Sequence, residues 1–177
     1  MSLIELMIAM VVLVVGMLAL MLLVSTAIGS NNRNKLDTTA TLLTQTVLEG
    51  IAAEPANQNT TFSMTDCDPA GPTTWTIATA SATSPGAGAQ LDANGNIDFA
   101  GQTYANLVAA SPNYAMKYVT CGAGSTQATY EVRWNVRKLS TFTKLVTVSA
   151  RQIGVPNTAT RLPFFAPPIT LRTIAGQ

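Results

Sequence analysis

The first 29 residues of the chain decide its fold, and they read MSLIELMIAMVVLVVGMLALMLLVSTAIG. No charged residue lies between Glu5 and Arg33. The apolar run therefore exceeds the roughly 20 residues that span a bilayer, and it is longer than the apolar core of a secretory signal, which has about 7–15 residues. A secretory signal also starts with basic residues, and none precedes this run. Because all faces of the segment are apolar, residues 1–29 predict a retained transmembrane helix rather than a buried core helix.

Glu5 is the one residue with a charged side chain in this apolar segment. A carboxylate in hydrocarbon costs about 2.5 kcal/mol or more, so it marks a candidate functional site. The nearest positive charge is an α-amino group. It belongs either to the same chain, about 6 Å away along the helix, or to a neighbouring copy that is shifted along the helix axis. The alternative is that Glu5 lies at the level of the lipid headgroups, as a solvated charge at the end of a helix.

Helical spacing persists after the apolar segment, although the composition becomes polar from Ser30 onward. Apolar residues recur at steps of four, three, four and four, which places them on one stripe of a helix. Pro55 ends the pattern, because the residue before a proline disfavours the helical conformation. One helix is therefore predicted from about Ser2 to Ala53, with residues 30–54 as its amphipathic part. The stripe contains Leu36, Ala40, Leu43, Val47 and Ile51.

The rest of the chain, residues 55–177, predicts a β-rich head domain. Three runs have the composition of strands: Tyr114–Cys121, Thr129–Lys138 and Leu145–Arg151. The second run alternates cleanly, and with the third it predicts a hairpin in an antiparallel sheet with one wet face. The dry face would contain Tyr130, Val132, Trp134 and Val136, and it would cover the helix stripe; the wet face would contain Glu131, Arg133, Asn135 and Arg137.

The C-terminal segment 161–177 is predicted to be a proline-rich tail of the head. Pro163, Pro167 and Pro168 exclude a helix and a central strand there. Phe164 and Phe165 would anchor the tail to the head, or would form a docking surface for a neighbouring subunit. The sequence thus predicts an α+β fold, in which a long N-terminal helix (residues 1–54) packs on an antiparallel β-sheet head (residues 55–177).

The segment MSLIELMIAMVVLVVGMLALM closely resembles the start of a mature type IV pilin or type II secretion pseudopilin. In that family a peptidase leaves a hydrophobic first residue, which is then N-methylated, and the fifth residue is Glu. Met1 and Glu5 stand at these positions. The form S-L-I-E is more similar to the minor-pilin (PilV-like) branch than to the major pilins. We expect this sequence to be the mature form; the alternative is that Met1 is an initiator residue.

The resemblance implies the type IV pilin fold and a structural subunit without enzymatic activity. The N-terminal helix would anchor the subunit in the bacterial inner membrane and would then pack in the core of an extracellular helical filament, or fimbrium. Glu5 would neutralise the terminal amine of the adjacent subunit and set the axial register. Copies of the same chain and other pilins would be its partners. The filament would serve adhesion, motility, secretion or DNA uptake.

Two alternatives to a main filament subunit stay open. One is a minor pilin or pseudopilin that primes assembly or lies at the tip. The other is a membrane-tethered adhesin or calcium-binding module that never polymerises. An enzyme is disfavoured because the chain has no histidine, its two cysteines form no CxxC motif and its carboxylates are scattered. No cofactor is expected, apart from the calcium ion considered below.

Cys67 and Cys121 are the two cysteines of the chain. Since the resemblance implies a head that faces the periplasm or the exterior, a disulfide is the expected pairing. It would close a loop of more than fifty residues and would add about 4 kcal/mol of stability in the chain-entropy model. Two free thiols are the alternative.

The segment Asp92-Ala-Asn94-Gly95-Asn96-Ile-Asp98 places side-chain oxygens at alternate positions around a glycine. This pattern resembles the start of a calcium loop, with Asp92, Asn94, Asn96 and Asp98 as candidate ligands. However, the glycine falls one position early and no glutamate stands at the twelfth position. The favoured interpretation is an Asn-Gly turn between two short strands.

Charge is distributed unevenly, although the net charge is only +1. Residues 1–116 have two basic and eight acidic residues, whereas residues 117–177 have eight basic residues and one acidic residue. This asymmetry predicts solvated sheet faces, or complementary surfaces between stacked subunits, or a surface that captures DNA. The candidate basic surface consists of Arg133, Arg137, Lys138, Lys144 and Arg151.

Overall fold

The computed structural model describes residues 2–108, 113–122, 127–154 and 167–176 of the chain. Together the described helices and antiparallel strands confirm the α+β class. In chain order the elements are α1 (Leu3–Ala53), β1 (Thr61–Thr65), β2 (Thr74–Ala78), β3 (Ala87–Gly88), α2 (Tyr104–Val108), β4 (Ala115–Val119), β5 (Thr129–Lys138), β6 (Thr143–Gly154) and β7 (Ile169–Gly176).

Helix α1 has 51 residues, and it begins and ends within one residue of its predicted bounds. The chain divides into two compact units, Met1–Asp37 and Thr38–Gln177. In the described part of the first unit α1 has no buried side chain. In the second unit the predicted stripe is buried, as expected for a helix with one apolar face. Its buried members are Ala40, Leu43, Val47 and Ile51.

In the described part of the second unit, the main sheet has five antiparallel strands. β5 and β6 form the predicted hairpin, and β7 pairs with the other side of β6. β3 and β4 both pair with β5, at different positions along it. A second, two-stranded sheet consists of β1 and β2.

The prediction of a wet sheet face is wrong for most of β5. Glu131, Arg133 and Asn135 are buried, just as their apolar neighbours on the other face are. The segment between β3 and β4 covers them and makes hydrogen bonds to them. Arg133 Nη1 donates to the carbonyl oxygen of Gln102 at 2.7 Å, and Asn135 Nδ2 donates to that of Ala89 at 2.8 Å. The polar side chains thus hold a covering layer instead of facing water.

This covering layer has a small apolar core of its own. Ala89, Ile97, Leu107 and Ala115 are buried together, and the ring of Phe99 packs against them. Ala115 belongs to β4 and pairs with Arg133 of β5, which places this core on the face of the sheet that was expected to be wet. Both faces of β5 are therefore inside the second unit.

The opposite face of the sheet carries Trp134 and Lys144, together with the predicted apolar residues. Lys144 Nζ donates to the carbonyl oxygen of Glu54 at 2.8 Å, directly after the end of α1. Trp134 Nε1 donates to the carbonyl oxygen of Ala78 at the end of β2, at 2.9 Å. These two bonds connect this face to the end of α1 and to the two-stranded sheet.

The predicted C-terminal tail contains a strand that the sequence analysis missed. β7 starts directly after Pro167 and Pro168 and runs to Gly176. It pairs with β6 alone among the described strands, so the exclusion of a central strand agrees with the structure. The predicted anchors Phe164 and Phe165, and also Pro163, lie outside the described residues.

Candidate functional site

The first part of α1 is the largest exposed apolar surface in the described residues. All side chains from Leu3 to Ile28 are exposed, and none of them packs on a second element. By length and composition, α1 is the one described helix that could cross a membrane, as an anchor or as a signal sequence. An apolar surface of this extent has to be covered by lipid or by protein.

Glu5 lies at the start of this surface and takes part in a helix cap. Its Oε2 accepts a hydrogen bond from the backbone amide of Ser2 at 3.0 Å. The carbonyl oxygen of Ser2 in turn accepts the amides of Glu5 and Leu6. The Ser-x-x-Glu spacing of residues 2–5 is the sequence signal for such a cap, and the sequence analysis did not use it. Met1, the predicted methylated residue, lies outside the described residues, so its pairing with Glu5 stays a prediction.

The predicted disulfide between Cys67 and Cys121 is present. The two Cα atoms are 5.0 Å apart and 54 residues apart in sequence. The backbone amide and carbonyl groups of Cys67 also make hydrogen bonds. The amide of Cys67 donates to the carbonyl oxygen of Val119 at 3.1 Å, and Gln127 Nε2 donates to that of Cys67 at 3.1 Å. The bond thus fastens the segment after β1 to the end of β4.

Asp66, beside this disulfide, is a buried carboxylate that the sequence analysis missed. Its Oδ1 accepts the amide of Thr73 at 3.0 Å. Its Oδ2 accepts hydrogen bonds from the amide of Val119 at 3.2 Å and from Nε1 of Trp75 at 3.4 Å. Both oxygens therefore have donors, and the side chain holds the β1–β2 connection against β4. This arrangement satisfies a buried charge and suits a structural role.

The segment from Asp92 to Asp98 forms the predicted Asn-Gly turn. Leu91 and Ile97 pair across it, and Gly95 has a φ of 75°. Asp92 Oδ1 accepts hydrogen bonds from the backbone amides of Asn94 and Asn96, at 2.9 and 2.7 Å. One carboxylate thus organises the turn through the backbone.

Asp98 belongs to a separate turn. Its Oδ1 accepts the amides of Ala100 and Gly101, at 2.7 and 3.0 Å. The hydrogen bonds from the backbone amides of Gly101 and Ala100 hold the pKa of the Asp98 carboxyl below its ordinary value. The two aspartates at the ends of the predicted calcium loop are therefore used in two different turns.

Arg172 of β7 binds two oxygens of the Asn-Gly turn, and one of them belongs to the side chain of the candidate ligand Asn96. Its Nη2 donates to the carbonyl oxygen of Asn94 at 3.1 Å and to Oδ1 of Asn96 at 2.9 Å. No group of three or more acidic, histidine or cysteine side chains that could hold a metal ion occurs in the described ranges. The Arg172 guanidinium thus uses one of the four candidate side-chain oxygens, and calcium binding remains an untested prediction.

The predicted basic surface is wrong for Arg133 and Lys144, which are both buried. Glu131 Oε1 accepts a hydrogen bond from Arg133 Nε, and its Oε2 accepts one from Arg151 Nη2, both at 2.7 Å. The two guanidinium groups also lie over the ring of Phe99, 4.7 and 4.4 Å from its centroid. Their charges are satisfied inside the second unit, so they are poorly placed to contact phosphate groups.

The remaining members of the predicted basic surface have different positions. Lys138 is exposed, whereas Arg137 and Arg151 are half-buried. Burial lowers the pKa of the Lys144 amine, and the nearby Glu54 carboxylate opposes that shift. The part of this set that can meet a partner is therefore reduced to Lys138 and its neighbour Arg137 at the end of β5.

Comparison with known proteins adds no assignment: no family model, no curated protein and no solved structure matches this chain. The functional argument therefore depends on the residues and contacts described above.

Proposed function

We propose that this chain is a structural subunit of an extracellular type IV pilus-like helical filament. The observation that supports this most is the first part of α1, where exposed apolar side chains surround the helix from Leu3 to Ile28. The second unit has a buried core of its own, so it does not need this surface for folding. We infer that lipid covers the surface before assembly, in the bacterial inner membrane, and that helices of other copies cover it afterwards.

Glu5 favours a filament over a simple membrane anchor. A carboxylate gives no advantage to an anchor, because it opposes insertion into hydrocarbon. In a filament it can neutralise the terminal amine of the adjacent copy, and this pairing fixes how far the two copies are shifted. The bond from the Ser2 amide holds the carboxylate at the very start of the helix. An amine from a neighbouring chain would reach it there.

The work of such a subunit is assembly, and the proposal includes no catalytic residue. In the described parts of the second unit, the buried charged side chains make contacts that hold structural elements together. Asp66 holds the β1–β2 connection, Glu131 pairs with two arginines, and Lys144 binds the end of α1. We propose adhesion, motility, secretion or DNA uptake as the role of the filament.

The test is the substitution Glu5→Ala, followed by electron microscopy of filaments sheared from the cell surface. We expect it to lower the amount of filament about tenfold or more, since each 1.4 kcal/mol of lost pairing is a factor of ten. Glu5→Asp is the matched control, because it keeps a carboxylate at the start of α1. It should retain most of the filament.

The outcome also separates the alternatives. A membrane-tethered module that does not polymerise would be displayed equally by both variants and the parent, without filaments, and this result would overturn the proposal. Immunogold labelling of parent filaments distinguishes a main subunit, labelled along the whole length, from a priming or tip subunit, labelled at the ends.

A further inference from the structure

The second unit exposes an apolar and basic tip where β5 turns into β6. We define the hairpin tip as residues 138–142. Leu139 is 44% exposed and Phe142 is 60% exposed, and the exposed Lys138 stands beside them. The amides of Leu139 and Ser140 both donate to the carbonyl oxygen of Thr143, at 2.9 and 3.0 Å. The turn is thus closed by hydrogen bonds and presents its apolar side chains in a fixed place.

The end of β7 lies beside the hairpin tip. Gly176 pairs with Thr143, which is the residue after the tip. Ile174, two residues earlier in β7, is 66% exposed. Exposed large apolar side chains are otherwise rare in the described part of the second unit, so their grouping at this end indicates a contact surface.

A second exposed surface lies on α1 within the same unit. Leu42 is 60% exposed, and Glu49 is exposed two turns later on the same side of the helix. Gln45 lies between them and its Nε2 donates to Oε1 of Glu49 at 2.7 Å. We call Leu42, Gln45 and Glu49 the outer stripe of α1. It combines one large apolar side chain with one negative charge.

The two surfaces complement each other and neither complements itself. Two hairpin tips face to face would bring Lys138 against a second copy of Lys138. Two outer stripes would bring Glu49 against a second copy of Glu49. The tip of one molecule on the outer stripe of another pairs Lys138 with Glu49 and also buries Phe142 and Leu42, so charge and apolar area favour the same arrangement.

The strand that follows the tip is bonded to α1 beyond the outer stripe. Lys144, just after the tip, binds the carbonyl oxygen of Glu54 at the end of the helix. The outer stripe lies five to twelve residues earlier. At 1.5 Å per residue this is a distance of about 8–18 Å along the helix axis. We therefore expect the contact between copies that are shifted along that axis. Such a head-to-tail contact between different patches repeats into a ring or a helix.

We propose that the hairpin tip of one copy docks on the outer stripe of α1 in a second copy. Leu139 and Phe142 pack around Leu42, and Lys138 pairs with Glu49. The second copy is the occupant because the chain itself supplies opposite charges and exposed apolar side chains on the two surfaces. This inference rests on the proposed filament, and it adds a contact between heads to the contact between apolar helices.

The first test reverses the charges in the full-length protein on cells. Lys138→Glu and Glu49→Lys should each lower the amount of sheared filament severalfold, because each places like charges opposite one another. The double variant Lys138→Glu/Glu49→Lys should recover most of the parent amount. If the double variant is as poor as the worse single variant, or if neither single variant changes the amount, the pairing is wrong.

The second test is a cross-link in assembled filaments. Leu42→Cys/Phe142→Cys should give a ladder of disulfide-linked oligomers on non-reducing gels after mild oxidation, with the native Cys67–Cys121 bond retained. Leu42→Cys/Ser63→Cys is the control, since Ser63 is exposed in β1 and is not part of the tip. The control should give no ladder.

The outcomes distinguish this inference from the proposed function. Filaments that depend on Glu5 but show no ladder overturn the docking and leave the filament intact. A cross-link from the tip to a different protein also overturns it, because the occupant would then not be a second copy. Failure of the parent chain to form any filament overturns the proposed function itself.

Discussion

The two parts of α1 differ in where their side chains find partners. From Leu3 to Ile28 every side chain is exposed, whereas between Ala40 and Ile51 an apolar stripe is buried in the second unit. The backbone is helical throughout, from Leu3 to Ala53. The difference lies in the side chains: the later part is stabilised by the rest of its own chain, and the earlier part has to be stabilised by lipid or by other molecules.

This difference separates two kinds of mutational effect. Changes in the second unit should alter its free energy of unfolding, and changes between Leu3 and Ile28 should alter membrane insertion or assembly instead. Both tryptophans, Trp75 and Trp134, belong to the second unit, so near-ultraviolet circular dichroism reports on that unit alone. Far-ultraviolet circular dichroism also reports on the rest of α1.

The largest effect is expected from removal of the disulfide. The double variant Cys67→Ser/Cys121→Ser should lower the free energy of unfolding of the second unit by about 4 kcal/mol, since the bond closes a loop of 54 residues. In detergent, the tryptophan signal should be lost at a lower urea concentration, while the helical signal of the apolar segment persists. Simultaneous loss of both signals would show that the two parts of α1 are not independent.

A smaller effect is expected from truncation of one stripe residue. Ile51 is fully buried, and Ile51→Ala should lower the free energy of unfolding of the second unit by about 3 kcal/mol, because it leaves a cavity. Ile8→Ala makes the same chemical change at an exposed site of α1 and should shift it by less than about 0.5 kcal/mol. Urea titrations of both variants, followed by the tryptophan signal, provide the comparison. Equal shifts would contradict the division of α1 that we describe.

Sequence reasoning was most successful where the relevant signal is local. The bounds of α1 follow from its apolar run, its stripe and Pro55, and the β5–β6 hairpin follows from alternation. The disulfide could be predicted without knowledge of the fold, because the chain has two cysteines and an exported head was expected. The first two predictions depend on local spacing, and the third depends on composition.

The errors arose where the partner lies far away in sequence. Alternation in β5 identified the polar face, but it could not show that residues from Ala89 to Gln102 would cover that face and bind Arg133. Similarly, Arg172 meets Asn94 across 78 residues, so no local pattern could have predicted this contact. β7 was missed because Pro167 and Pro168 outweighed the short alternating run that follows them.

The smallest expected effect comes from two glycines of the same helix. Alanine stabilises a helix interior by about 1 kcal/mol relative to glycine. A Cβ added at Gly29 would meet no atom within 4 Å, whereas one at Gly50 would lie 2.7 Å from Cζ of Phe62. Gly29→Ala should therefore leave the unfolding of the second unit unchanged. Gly50→Ala should destabilise that unit by about 1 kcal/mol, because displacement of the packed ring outweighs the gain in helix propensity.

Phe62→Leu separates the two contributions at Gly50. With the ring removed, Gly50→Ala no longer meets an obstacle, and its effect on the urea midpoint should change from destabilising to stabilising. If Gly50→Ala is destabilising in both backgrounds, the glycine is needed for a reason other than the approach of Phe62. If it is stabilising in both, the ring moves freely, and this end of α1 is held less tightly than its buried stripe indicates.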